Sequence, residues 1–120
     1  MIKRIGDWRL EEELNRGDDP VVVLFVATGV EPCVKSRLDF RNLAQDYFLT
    51  RFFEVDLLEN PSLVRRHRIR KVPTLAVFQG GVEQIRQTGP WMRTALQRVL
   101  GPGPSSEADA QTELDGNGDG

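Results

Sequence analysis

Apolar and polar residues repeat along the chain with two different periods, which predict alternating strands and helices. Val21–Ala27 is an almost unbroken run of apolar, mostly β-branched residues, which is typical of a strand buried on both faces. From Cys33 to Tyr47 the apolar residues recur at helical spacing and form one face. The other predicted elements are strands at Ile2–Ile5, Arg51–Asp56, Thr74–Phe78 and Val82–Gln87 and helices at Trp8–Leu14, Asn60–His67 and Trp91–Leu100.

Turn and capping residues mark the boundaries of these elements. Asp7 is the predicted N-cap of the first helix, and Pro32 suits the first turn of the second. Gln79–Gly81 predicts a tight hairpin. The element order is β-α-β-α-β-α-β-β-α. Because strands separated by helices need parallel crossovers, this order predicts an α/β fold with a central mixed sheet and helices on both faces.

The last twenty residues differ in composition from the rest of the chain. Residues 101–120 hold five acidic residues, no Lys or Arg and no apolar period, so we predict a domain over 1–100 followed by an acidic, Gly/Pro/Ser-rich disordered tail. The 120-residue chain has 16 basic and 18 acidic residues, a net charge of −2. All 16 basic residues but only 13 acidic ones precede the tail, so residues 1–100 carry +3. The overall balance excludes a globally basic nucleic-acid binder.

Cys33 is the only cysteine, which excludes an internal disulfide and with it a disulfide-stapled secreted scaffold. Met1–Arg4 is followed by a charged stretch, so we expect no signal peptide. The longest apolar run, Val21–Val30, is about half the ~20 residues that a membrane span needs. We therefore expect a cytoplasmic protein that does not cross a membrane.

Several segments together resemble the thioredoxin family. The resemblance covers about residues 1–100 and implies a thioredoxin-like fold. Phe25–Cys33 is similar to the family's active-site segment, and Ile69–Leu75 is similar to its cis-proline segment. Glu54–Asp56 and Glu59–Pro61 are similar to its third strand and the turn after it. Gly81 and Gly89 stand at the family's two glycine positions.

This chain departs from the family pattern at its reactive residues. The family's Cys-Gly-Pro-Cys is Val30-Glu31-Pro32-Cys33, so valine occupies the attacking position and only the resolving position keeps its thiol. Dithiol exchange needs one thiolate to attack and a second thiol to release the mixed disulfide. The resemblance therefore implies a member without the usual two-cysteine catalysis. Other family positions are also replaced: the buried acid of the second strand by Leu24, the flanking aromatic residues by Val26 and Gly29, and the helix-kinking proline by Leu38.

Two hypotheses remain for Cys33. Its helical register with Phe40 and Leu43 places it on the core side, where a free cysteine behaves as a small, inert hydrophobic residue. Alternatively, Cys33 acts alone as a one-cysteine thiol–disulfide redox group. The second hypothesis needs an accessible thiolate.

Other residues point to a partner-binding surface. Val30, Val34 and Leu38 form a second apolar stripe, which either packs under a neighbouring segment or docks a partner. The resemblance implies that the residue before Pro73 pairs with an extended peptide, although Pro73 could equally serve only to shape the loop. The predicted partner-binding residues are Val30, Pro32, Val34, Val72, Pro73, Arg66, Arg68 and Arg70.

The densest charge run, Arg65–Lys71, leads into the Val72–Pro73 segment. It is either a solvated surface or a basic ridge that steers an acidic partner. No aromatic residues interleave with these cations, so nucleic acid is disfavoured. His67 is the only histidine and has no second Cys or His ligand nearby, so we expect no metal site and no cofactor.

Asp115–Gly120 matches the first half of an EF-hand loop but lacks the later ligands, so we expect no calcium site. The half-motif would fit a chain taken from a longer protein.

The sequence thus favours a thioredoxin-like protein that binds a protein or an extended, possibly acidic, peptide as a chaperone-like, adaptor or regulatory module. The alternatives are one-cysteine redox chemistry in redox homeostasis and a structural module within a larger assembly. Nothing in the sequence indicates an oligomeric state.

Overall fold

The computed structural model describes residues 2–89, 91 and 93–101. Within this part of the chain, the predicted order of strands and helices is confirmed. The tail predicted from residue 101 onward, with its half EF-hand motif, lies outside the described residues apart from Gly101. The elements are β1 Ile2–Arg4, α1 Asp7–Leu14, β2 Val21–Val26, α2 Glu31–Asp46, β3 Arg51–Asp56, α3 Ser62–Arg66, β4 Thr74–Gln79, β5 Val82–Thr88 and α4 Arg93–Leu100.

The five strands form one mixed sheet in the order β1-β3-β2-β4-β5. β3 pairs in parallel with both β1 and β2, whereas β4 runs antiparallel to β2 and β5 antiparallel to β4. The predicted α/β fold with a central mixed sheet and an antiparallel hairpin at one edge is therefore confirmed. The expectation that every pair of strands separated by a helix is parallel was wrong for β3 and β4, because the chain re-enters the sheet after α3 in the opposite direction, beside β2. Gly80 and Gly81 both have positive φ angles, 59° and 81°, which the tight turn of this hairpin requires and which glycine adopts most readily.

β2 lies at the centre of the sheet, and all six of its residues are buried. Because side chains alternate along a strand, it contributes to two apolar clusters, one on each face of the sheet. Val21, Val23 and Phe25 pack with residues of α1 and α3. Val22, Leu24 and Val26 pack with residues of α2 and α4. Both faces are covered by helices, as the unbroken apolar run of β2 requires.

The start of α1 differs from the prediction. Gly6 is the N-cap, and Asp7 is the first residue of the helix, so the prediction of Asp7 as N-cap was wrong. A Cβ atom on Gly6 would lie only 2.1 Å from the side chain of Asn60, so the entry to the helix needs a residue without a side chain. The carboxylate of Asp7 instead accepts a hydrogen bond of 3.0 Å from the Ser62 hydroxyl on α3.

Candidate functional site

The candidate site lies where β2 and β3 end and β4 begins. Val26 of β2 is opposite Asp56 of β3, and Phe25 is opposite Thr74 of β4. The loop after β2, the loop after β3 and the segment ending at Pro73 therefore meet at one end of the sheet. The carboxyl ends of parallel strands are the usual position of binding sites in open α/β sheets.

Val30 and Cys33 lie one helical turn apart at the start of α2. Val30 is the N-cap, with an extended backbone, and its carbonyl accepts a 2.9 Å hydrogen bond from the Cys33 N–H. Cys33 is only 2% exposed and belongs to the same apolar cluster as Leu24 and Phe40. Val30 is half-buried against the edge of this cluster. The only thiol of the chain therefore faces the core.

This burial predicts slow modification of Cys33. In the native protein we expect the thiol to react with DTNB at least about a hundredfold more slowly than in 6 M urea, since a reagent must wait for local opening. The measurement is the absorbance of released thionitrobenzoate over time. Fast, stoichiometric labelling of the folded protein would show that Cys33 is accessible and would favour one-cysteine redox chemistry.

The second apolar stripe of α2 is turned to solvent. Val34 is 62% exposed and Leu38 is 54% exposed, whereas Cys33 and Phe40 on the opposite stripe are buried. Pro32 is also exposed, in the first turn of the helix. The helix continues through Leu38 without a break. α2 therefore presents a row of apolar side chains to solvent, beginning at the candidate site.

The Val72–Pro73 segment reaches the same apolar cluster from the other side. Val72 is half-buried and packs against both clusters, including the one that Val30 contacts. The peptide bond between Val72 and Pro73 is cis, and Pro73 is buried. The Pro73 carbonyl accepts a hydrogen bond from Gly89, and the Lys71 carbonyl accepts one from the Thr74 hydroxyl. Within the described part of the chain, the backbone N–H and C=O of Val72 have no hydrogen-bond partner.

The basic run is not a single helical face. α3 ends at Arg66, and Arg68 has a positive φ of 52°, which turns the chain towards β4. Arg66, Arg68 and Arg70 are all exposed. Arg66 lies 4.0 Å from Glu11 of α1, so part of its charge is balanced there.

Within this run, His67 is structural. Its ring lies 5.5 Å from the ring of Phe25 and 5.7 Å from that of Phe78, measured between centroids. Its Nε2 is 2.6 Å from a carboxylate oxygen of Glu11. The Arg86 guanidinium of β5 donates hydrogen bonds to the carbonyls of His67 and Arg68. These contacts fix the middle of the run to α1 and to the sheet.

The sequence did not reveal the pairing of Thr28 with Asp56. The buried Asp56 carboxylate accepts hydrogen bonds from the Thr28 hydroxyl and, at 3.0 Å, from the Leu58 N–H. Burial raises the pKa of Asp56, but these hydrogen bonds, a further one from the Thr28 backbone and the charge of Arg4 outweigh it, so the pKa lies below its ordinary value. Asp56 is therefore ionised at neutral pH and is a poor general base. One signal was available: Thr28 directly follows the predicted strand Val21–Ala27, and Asp56 is the last residue of the predicted strand Arg51–Asp56.

The comparisons with known proteins agree with this geometry. The sequence profile of the thioredoxin family matches residues 2–101. The chain belongs to the thioredoxin family. Thioredoxin 1 of Nostoc sp. is 30% identical over 98 residues, which cover 81% of this chain and 92% of that protein. The chloroplastic thioredoxin M4 of Arabidopsis thaliana is 27% identical over 82% of this chain, which spans only 52% of that relative. A thioredoxin structure from Malassezia sympodialis superposes with a TM-score of 0.69 and 25% identity over 83% of this chain and 88% of that one.

As a thioredoxin-family protein, this chain departs from the family pattern at several positions of its active-site segment, and one of them is decisive for the chemistry. The segment retains the proline and the second cysteine, Pro32 and Cys33, but has Val30 where the family's attacking cysteine stands. The family's buried acid is also missing at Leu24, and Asp56 cannot replace it because its carboxylate is held ionised.

Neither a metal cluster nor a membrane-spanning helix is found among the described residues. Within residues 2–89, 91 and 93–101, no three His, Cys, Asp or Glu side chains lie close enough together to hold a metal ion. Across the same residues, no helix is long and apolar enough to cross a membrane.

Proposed function

We propose that this thioredoxin-family protein binds extended protein segments at the end of the sheet that carries Val30, Val34 and Val72, and does so without dithiol exchange. The proposal rests on which side chains α2 buries and which it exposes. The thiol of Cys33 is buried, while the neighbouring valine and leucine side chains are exposed. Exposed apolar side chains that surround a site with no accessible nucleophile favour binding over catalysis.

The Val72 backbone supplies the polar part of the proposed site. Its N–H and C=O are unpaired among the described residues, and they lie beside an apolar surface. An extended peptide that pairs with them gains backbone hydrogen bonds, and its side chains gain apolar contacts with Val30 and Val34. An apolar centre with a charged rim is the usual anatomy of such a surface.

The rim favours acidic partners. Arg68 and Arg70 are exposed, and no acidic side chain of the described residues forms an ion pair with either. They lie in the segment that leads into Val72, so their positive charge attracts an acidic chain as it approaches the site. A single cysteine and no disulfide suit a reducing compartment, and we place this function in the cytoplasm.

Binding can be tested with a permanently unfolded acidic protein, reduced and carboxymethylated α-lactalbumin, which has no disulfide to exchange. We expect saturable binding by isothermal calorimetry, weakened at least about tenfold by Val34→Asp or Val72→Asp, because each places an unpaired charge in the apolar centre. Leu49→Asp is the matched control, since Leu49 is also an exposed apolar residue but lies before β3, at the other end of the sheet. If Leu49→Asp weakens binding as much, or no variant does, the proposed site is wrong.

The rim is tested by association kinetics. Neutralising Arg66, Arg68 and Arg70 together to Gln should slow association and flatten its salt dependence, while dissociation changes little. We expect Cys33→Ala to bind this client like the parent, because the buried thiol takes no part in binding. A client that contains a disulfide tests the alternative function. A covalent adduct that the parent protein forms with oxidised insulin, and that Cys33→Ala does not form, would favour the one-cysteine redox function instead.

A further inference from the structure

A second site lies between α1 and the strands β1 and β3, and it extends to Arg51 at the end of the sheet opposite the candidate site. It is a cavity of about 170 Å³, lined by four cationic side chains, one carboxylate and three apolar residues. The apolar part of the lining comes from Ile5, Phe52 and Phe53. The cationic side chains are Lys3, Arg9, Arg16 and Arg51, and the carboxylate is Glu13.

The single carboxylate is already neutralised. Glu13 accepts a hydrogen bond from Arg51 at 2.5 Å and lies 3.5 Å from Arg16. Arg51 is also held by the backbone carbonyls of Glu13 and Arg16, at 3.1 and 2.9 Å. Lys3 and Arg9 form no ion pair with any residue that the structure describes, although Arg9 lies over the ring of Trp8. The cavity therefore has an excess of positive charge that no described side chain balances.

This chain contains a segment of complementary charge. Residues 101–120 hold five acidic residues and no Lys or Arg. Leu114 is the only large apolar residue of the segment and is flanked directly by Glu113 and Asp115. An apolar side chain between two carboxylates matches a cavity lined by both apolar and cationic side chains.

The segment begins at the correct end of the sheet. The Gly101 carbonyl accepts a 2.7 Å hydrogen bond from the Tyr47 hydroxyl. Tyr47 precedes Arg51 by four residues, which separates their Cα atoms by at most about 14 Å. The twelve residues from Gly101 to Glu113 span up to roughly 40 Å when extended, so the acidic segment is long enough to reach the cavity. The basic run Arg65–Lys71 lies beside the same helix, α1, where Arg66 is 4.0 Å from Glu11 and is partly balanced by it.

We infer that the acidic segment of residues 107–119 docks in this cavity of its own chain, with Leu114 against the apolar lining and the flanking carboxylates on Lys3 and Arg9. The contact is intramolecular, and it is independent of the function proposed for the other end of the sheet. Because both partners are charged and partly exposed, the docking is sensitive to salt.

The test compares the full chain with a variant in which the five tail acids are replaced by Gln or Asn, using ¹H–¹⁵N correlation spectra. We expect amide shift differences at Lys3, Arg9, Arg16 and Arg51 in 20 mM salt, reduced several-fold in 0.5 M salt. Leu114→Ser should produce part of the same change. In the Lys3→Glu/Arg9→Glu background, neutralising the tail should no longer move these resonances.

The matched control reverses charges on the other basic surface. In the Arg68→Glu/Arg70→Glu background, tail neutralisation should still shift the resonances of the cavity residues. Three outcomes would overturn the inference: no shift difference at the cavity, differences confined to residues 65–71, or differences that grow with protein concentration and so report contact between two copies.

Discussion

Replacing Val30 with cysteine is expected to create disulfide-reductase activity that the parent protein lacks. A thiol at this position would lie at the N-terminus of α2, where the pKa of a cysteine is lowered and its thiolate becomes nucleophilic. The backbone hydrogen bond between residues 30 and 33 already sets the two positions one turn apart. With dithiothreitol as reductant, we expect Val30→Cys to reduce insulin at least about tenfold faster than the parent, whose rate should equal the protein-free baseline.

The two steps of the reaction assign separate roles to the two sulfurs. The introduced thiolate attacks one sulfur of the insulin disulfide, breaks the S–S bond and releases one insulin thiolate, which is then protonated. Cys33 loses its proton to solvent and attacks the mixed disulfide, which releases the second insulin thiol and leaves a disulfide between positions 30 and 33. Dithiothreitol then reduces that disulfide. We expect slow turnover because Cys33 is buried and Leu24 cannot accept its proton.

Two controls separate these steps. Val30→Ser should remain inactive, since a hydroxyl at this position does not attack a disulfide. In the absence of dithiothreitol, Val30→Cys combined with Cys33→Ala should form the mixed disulfide but fail to release it, which mass spectrometry detects as a covalent insulin adduct. Parent protein that turns over insulin as fast as Val30→Cys would disprove the assignment of Val30 as the reason for inactivity.

Restoring an acid at Leu24 is expected to destabilise the protein strongly, and more so as the pH rises. Leu24 is fully buried in the central strand and lies in the apolar cluster that contains Cys33. An aspartate there loses the packing of leucine and places a carboxylate in apolar surroundings, so we expect Leu24→Asp to lower the free energy of unfolding by about 3–5 kcal/mol at pH 7. Burial raises the pKa of the introduced carboxyl in the folded state.

The sign of the pH dependence follows from that raised pKa. The folded variant holds its proton more tightly than the unfolded chain, so the loss of stability is smallest below about pH 3.9, the ordinary pKa of aspartate. The loss grows as the pH rises through the folded-state pKa. Leu24→Asn is the neutral control and should show no such dependence. Urea denaturation at pH 4.5 and 7.5 measures both; an equal loss for Leu24→Asp at the two pH values would contradict the argument.

Most of the fold could be predicted from the periodicity of apolar residues along the chain. The helical register of Cys33 and Phe40 separated the buried face of α2 from the face of Val34 and Leu38, because the core needs one contiguous apolar stripe. The parallel direction of β1, β2 and β3 followed from the helices between them, but the antiparallel direction of β4 did not, because α3 also precedes it. The start of α1 could not be predicted, because the close approach of Asn60 to Gly6 joins residues that are distant in sequence.

The site was less predictable because its parts interact across the sheet. The charge run of Arg65–Lys71 was evident, but the contacts that fix His67 come from Glu11, Phe25 and Phe78 on three other elements. The link between Thr28 and Asp56 depends on the register of β2 and β3, which hydrophobic patterning leaves open because β2 is wholly apolar.

The hydrogen bonds from Arg86 to the carbonyls of His67 and Arg68 have a consequence for the entropy of association. They tie the chain that leads into Val72 to the edge strand, and the packed ring of His67 holds it from the other side. This backbone has little conformational freedom left to lose when a second chain lies along it, so the ordering cost of the encounter falls almost entirely on the incoming segment. A flexible segment should therefore gain affinity from being stiffened in an extended form.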